Sequence, residues 1–292
     1  MQIRPLDDTR CFLAESPVWD VEEQALYWID GLDPMLYRHD WASRTTRQWK
    51  LPATGVGSLA VRRGGGLLLA MDQGLYGFDT ASGTVSPISE PFAGQPRVRF
   101  NDGKVDRAGR FIVGGMDGGV DQGAASEPIS HMIAVAADLS VTTLLDGVGC
   151  LNGPCFSPDG RTLYLAGRGD LTTIEAFDYD PATGAVDNGR VIAEGLAPDG
   201  ATVDADGCIW STQFGAGEVL RLTHEGRVID RILLPGQLTA SVMFGGPGLD
   251  LMFVTTMGRP FWGIEPTQAD AGAVFVVEGS GYRGLPERRF AG

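Results

Sequence analysis

One pattern recurs six times along this chain: a short apolar run, a turn rich in Asp and Gly, then a second apolar run. It reads "VWDVEEQALYWID" from Val18, "VRRGGGLLLAMD" from Val61 and "VDRAGRFIVGGM" from Val105. It returns as "FSPDGRTLYLAG" from Phe156, "VDADGCIWSTQF" from Val203 and "FGGPGLDLMFVTTM" from Phe244, so successive starts lie 41 to 51 residues apart. Two more strand-like runs follow each copy, as in "LYGFDTASGTVSPI" from Leu75 and "VLRLTHEGRVIDRIL" from Val219. Four short antiparallel strands at such a period mark a propeller blade; one open sheet of that many strands would expose edges that radial closure hides. The pattern predicts an all-β, six-bladed β-propeller with four antiparallel strands per blade, a single domain over residues 1–292. The ring is expected to close by pairing "QIRPLDD" or "CFLAE" with a strand near Arg288 to Phe290.

Composition narrows the partners. With 42 Gly and 17 Pro among 292 residues, tight turns are favoured over helices. A net charge of −14 repels phosphate backbones and attracts cations, so nucleic acid is not an expected partner. No apolar run approaches the roughly 18 residues of a membrane span, and "MQIRPLDDTRCFLAESP" lacks the apolar core of a signal peptide. No membrane association and a cytoplasmic location are the expectation. The four cysteines, Cys11, Cys150, Cys155 and Cys208, form no C-x-x-C pair and are expected to be reduced, mostly buried small hydrophobes.

Strand alternation places the tight turns inside each copy at one end of the central channel, and the entry to each inner strand at the other. Four residues before the third, fourth and fifth copies stand Asn101, Asn152 and Asp199, and three before the first stands Glu15. The second and sixth copies have Gly57 and Ala240 there. Turn chemistry explains any one of these polar residues. It does not explain four of them at equivalent places in a closed ring, where they converge on the axis. Two carboxylates held together repel unless a cation lies between them. Glu15, Asn152 and Asp199 offer only oxygen, which suits a divalent cation with positions left for water; a ring of solvated turns is the alternative. There is no G-x-S-x-G elbow and no phosphate-binding loop, and His39, His131 and His224 fall away from the ring.

The chain resembles the senescence marker protein (regucalcin), gluconolactonase and luciferin-regenerating enzyme family. The residues that carry the resemblance are "ESPVW", "RFNDGKVDRAGRF", "NGPCFSPDGRTLY", "FDYDPATG", "PDGATVDADGCIW" and "FGG", in that order and spacing. The resemblance implies a six-bladed propeller that binds one divalent cation in its channel and hydrolyses sugar lactones. Calcium is the first choice of metal, with zinc, manganese, magnesium and iron also compatible. It implies Glu15, Asn152 and Asp199 as ligands, Arg99 and Asn101 as substrate contacts, and Asp102 as a residue reaching the metal through water. The family's pattern changes at two places. A substrate-holding glutamate of some members is replaced by "DGGVDQG", with Asp117 the nearest acid, and "AGRGD" puts Arg168 where many members have Asp.

Opening a lactone needs a nucleophile at neutral pH and stabilisation of the oxyanion, and a bound cation serves both. Asp199 is the expected base, and Arg99 and Asn101 are expected to hold substrate oxygens. Arg168 is expected to overhang the site and read the far end of a substrate, either hydroxyls or an anionic group; a salt bridge to Asp170 is the alternative. The long connections 117–130 and 258–272 lie on the same face, and Phe261 and Trp262 offer an apolar wall beside a sugar ring. Two other functions stay open: a non-catalytic cation-binding regulatory protein, and a hydrolase of another activated ester such as an organophosphate.

Overall fold

The computed structural model describes residues 1–292. It contains 24 strands, β1 to β24 in chain order, grouped into six sheets of four. The innermost strands are β2 (Ala14–Asp20), β6 (Val56–Val61), β10 (Val98–Val105), β14 (Asn152–Phe156), β18 (Pro198–Val203) and β22 (Thr239–Gly245). They contact one another round the central channel. Five blades run outward in sequence order, each strand antiparallel to the last. The six-bladed expectation therefore holds.

Burial explains the gradient of sequence along a blade. The inner strand "VGSLAV" of β6 and its neighbour β7, "LLLAM" (Leu67–Met71), are buried throughout. The outermost strands are charged and polar, as in β5, "TTRQWK" (Thr45–Lys50), and β17, "VDNGRVIA" (Val186–Ala193). Charge on an edge strand discourages pairing with another molecule's edge. The apolar side chains collect into six large clusters, one at each junction between adjacent blades. Between the first and last blades, Trp19 and Trp28 pack with Met243, Phe253 and Val276. Each such side chain contributes roughly 1.5–3 kcal/mol by burial.

Closure departs from expectation. The N-terminal strand β1 (Gln2–Pro5) pairs with β24 (Val274–Glu278), so the last blade reads β22–β23–β24–β1. Residues 288–290 form no part of it. The C-terminal segment instead crosses the tight-turn end of the channel. Phe290 accepts from Arg63 N at 2.9 Å, donates to Val61 O at 2.7 Å, and buries its ring between the second and third blades. An apolar residue near the terminus was read as strand because burial leaves the same mark on a sequence whichever element provides it. All four cysteines are free, three of them buried. No helix is long and apolar enough to cross a membrane.

Candidate active site

The ring residues lie inside the first residues of the inner strands rather than before them, and each sits at an irregularity. Pairing with the second strand of the blade slips between Glu15 and Val18, Val56 and Ser58, and Phe100 and Gly103. It slips again between Asn152 and Cys155, Pro198 and Ala201, and Thr239 and Val242. All six inner strands are thus bulged at the same level. A bulge bends the strand and re-aims its side chains. Glu15, Asn101, Asn152 and Asp199 lie at these bulges and all line one cavity of ≈ 320 Å³.

Gly153 makes the close approach possible. Its φ of +51° is in the left-handed region. A Cβ there would stand 2.6 Å from the Asp199 carbonyl oxygen and 2.8 Å from the Ala201 Cβ. Glycine next to Asn152 therefore lets β14 and β18 bring Asn152 and Asp199 together. Asn101 Nδ2 donates to the Leu151 carbonyl at 2.7 Å and lies 2.8 Å from the Asn152 amide.

The oxygens so assembled are poorly satisfied. Glu15 Oε2 is buried and has no hydrogen-bond partner. The Asn152 amide atom that faces Asn101 also lies 3.2 Å from Asp199 Oδ1 and 3.1 Å from the Leu151 carbonyl. As oxygen it faces two other oxygens; as nitrogen it opposes the Asn101 N–H. Burial first, then the charges of Asp199 and Asp102, push the Glu15 carboxyl well above the usual carboxylate range. Burial and Asp102 do the same to Asp199. Asp102 is pushed up to about 6 by burial, against the opposing pull of the Gly153 N–H and Lys104. Crowded, desolvated carboxylates, an orphaned carboxylate oxygen and an oxygen–oxygen approach all fit a cation between these groups. No three His, Cys, Asp or Glu side chains form a ligand cluster by themselves. Burial pushes the neighbouring Cys150 thiol up, favouring its neutral form.

Other expected contacts are placed differently. Asp102 is buried outside the cavity lining and accepts from Gly153 N at 2.8 Å. Asp117 is fully buried, caps the short 3-10 turn Gly118–Gln122, and pairs with Arg97 at 2.7 Å; it does not reach the cavity. The turn that Asp117 caps carries Asp121 into the lining instead. Asp121 takes Arg99 in a fork, from Nε and Nη2 at 2.7 Å each. Burial opposes the Arg99 charge, and the Asp121 carboxylate outweighs it and holds the guanidinium protonated. Arg168 does not line the cavity; its fork goes to Glu175, at 3.0 Å and 2.8 Å, and Asp170 caps Thr172. Phe261 and Trp262 do line the cavity, joined by Phe214, Leu171, Leu196 and Ile264, which sequence reasoning passed over.

A family model described as the SMP-30/Gluconolactonase/LRE-like region matches residues 13–258, a span that starts just before Glu15 and includes every cavity-lining ring residue. The chain belongs to this family. Among relatives in the SMP-30/gluconolactonase family, a 6-deoxy-6-sulfogluconolactonase of Pseudomonas putida is 34% identical over 247 residues, covering 84% of this chain and 83% of that one. A pentonolactonase of Haloferax volcanii is 33% identical over 299 residues, covering 99% and 98%. The crystal structure of a calcium-binding protein, regucalcin, from Agrobacterium tumefaciens superposes with a TM-score of 0.87 at 28% identity, covering 99% of this chain and 97% of that chain.

Proposed function

We propose that this protein is a metal-dependent lactonase, opening a lactone ring by addition of water to give the hydroxy acid. The observation that carries the reading is the buried, unpartnered Glu15 Oε2 in a cavity that Asp199 and Asn152 also line. Lactonase relatives in the same family support the reaction class. Glu15, Asn152 and Asp199 would hold one divalent cation, for which the calcium-binding relative supports calcium. When bound, such a cation polarises the lactone carbonyl and acidifies water.

The chain's own residues do the rest. Asp199 accepts the proton of the attacking water and returns it to the ring oxygen as the acyl C–O bond breaks. Asn101, anchored by its bond to the Leu151 carbonyl at 2.7 Å, packs against the Asn152 amide. Arg99, fixed by its ion pair with Asp121, would set a polar side of the cavity near the reacting carbonyl. The apolar side chains around the mouth limit water and strengthen these interactions. The test is lactone hydrolysis by protein stripped with a chelator and then reloaded with single cations, with metal content measured in parallel. Hydrolysis should vanish and return with the cation.

A further inference from the structure

We infer that the cavity selects a neutral lactone bearing an apolar substituent over a polyhydroxylated or anionic one; this rests on the lactonase reading above. The first support is charge. The ionisable side chains lining the cavity, cysteine aside, are Glu15, Asp199, Asp121 and Arg99. The one guanidinium is already taken, its Nε and Nη2 by Asp121 and its Nη1 by the Phe100 carbonyl at 2.9 Å. Arg168 and Arg97 point their forks at Glu175 and Asp117. Among the residues lining the cavity, no free cation is left for a sulfonate or carboxylate.

The second support is the wall. Beside the polar groups, the lining includes Phe214, Phe261, Trp262, Ile264, Leu171 and Leu196. Phe261 and Trp262 stack at 5.2 Å between centroids, and Phe214 meets both edge-on at 5.7 Å and 5.8 Å. Trp262 Nε1 donates to the Val120 carbonyl at 3.0 Å, tying the 258–272 connection to the turn that carries Asp121. The indole's one donor is thereby spent, and its ring remains as an apolar surface on a fixed support. Thr172 is the only hydroxyl side chain in the lining, and a substrate hydroxyl set against the apolar residues would lose water without gaining a partner. A volume of ≈ 320 Å³ is at the small end for ligand sites, suited to one lactone ring with a short chain.

The experiment compares metal-loaded protein on glucono-δ-lactone, a 6-sulfonated gluconolactone, and δ-lactones carrying 6-alkyl chains of one to five carbons. Calorimetric binding of the matching 6-alkyl δ-lactams, which resist hydrolysis, is measured alongside. The expected result is kcat/KM rising about fourfold per methylene until the cavity fills, with lactam affinity rising in step and both hydroxylated lactones well below. Trp262→Ala should flatten the dependence through KM rather than kcat, and Trp262→Phe should restore it in part. Preference for a hydroxylated or sulfonated lactone, or no chain-length dependence, overturns the inference and leaves the lactonase reading standing. If no lactone is hydrolysed, the lactonase reading fails, and lactam binding alone decides: chain-length dependence upholds the apolar site and its absence overturns it.

Discussion

Replacing Gly153 with Ala should damage both the fold and the site, by an amount that can be worked out. The residue is held at φ +51°, where an L side chain costs about 1–2 kcal/mol. The new Cβ would stand 2.6 Å from the Asp199 carbonyl oxygen and 2.8 Å from the Ala201 Cβ. Both belong to β18, so relief requires two inner strands to separate, and overpacking of that kind costs about 1–3 kcal/mol. Gly153→Ala should therefore lose about 2–5 kcal/mol in urea denaturation of the metal-free protein. Because the strand that retreats carries Asp199, the Asn152–Asp199 approach widens, and cation affinity by calorimetry should fall by about 10-fold or more. Gly169→Ala is the control: nothing lies within 4 Å of its added Cβ, and it should stay within about 0.5 kcal/mol. A Gly153→Ala protein within about 0.5 kcal/mol of the parent, with unchanged cation affinity, would refute the argument that this glycine brings the two ligands together.

Other expectations follow from the same geometry. Asp199→Asn should lower kcat by about 10²–10⁴-fold with the β-sheet circular dichroism intact, and a smaller loss would remove Asp199 as the base. Arg168→Ala should change kcat/KM for any lactone by less than about twofold, since its fork serves Glu175 outside the cavity; a selective loss on an anionic lactone would reinstate it as a substrate contact. Phe290→Ala should cost about 3–5 kcal/mol through the cavity left between two blades, while kcat in the folded fraction is kept, because the residue lies at the opposite end of the channel. Asp7 is half-buried, which by itself raises its pKa, but the neighbouring His39 and hydrogen bonds from Thr46 and Thr9 outweigh burial and hold the carboxylate well below its ordinary value. Its contribution is present above the unfolded-state value of about 3.9 and is lost as pH falls toward the folded one. The stability gap between the parent and Asp7→Asn should thus be constant above about pH 5 and shrink below about pH 4.

The blade count was legible because a repeated unit states the same pattern six times, and four of its copies carry a polar residue at one place. Glu15, Asn101, Asn152 and Asp199 could be aligned without knowing any contact. What the alignment could not contain was the slipped pairing that aims them, since register belongs to the partner strand as much as to the residue. Asp117 and Asp121 sit four positions apart in one loop, and the loop's 3-10 turn buries the first against Arg97 and delivers the second to the cavity. Arg168 has Asp170 beside it in sequence, yet its carboxylate lies on the next strand, at Glu175 in β16 (Ile174–Tyr179). Phe214 and Leu171 were passed over for the same reason: an apolar residue in a loop leaves no sign of what it faces.

The central claim is that Glu15, Asn152 and Asp199 hold a cation on which lactone hydrolysis depends. The most direct test is calcium titrated calorimetrically into chelator-stripped protein, with the lactone rate followed on the same samples, for the parent and for Glu15→Gln. The account predicts one site per chain, a rate that rises in proportion to its occupancy, and affinity weakened about 10-fold or more by Glu15→Gln with the fold retained. A stripped protein that hydrolyses lactones at the full rate, or a Glu15→Gln protein that binds calcium as tightly as the parent, would contradict it.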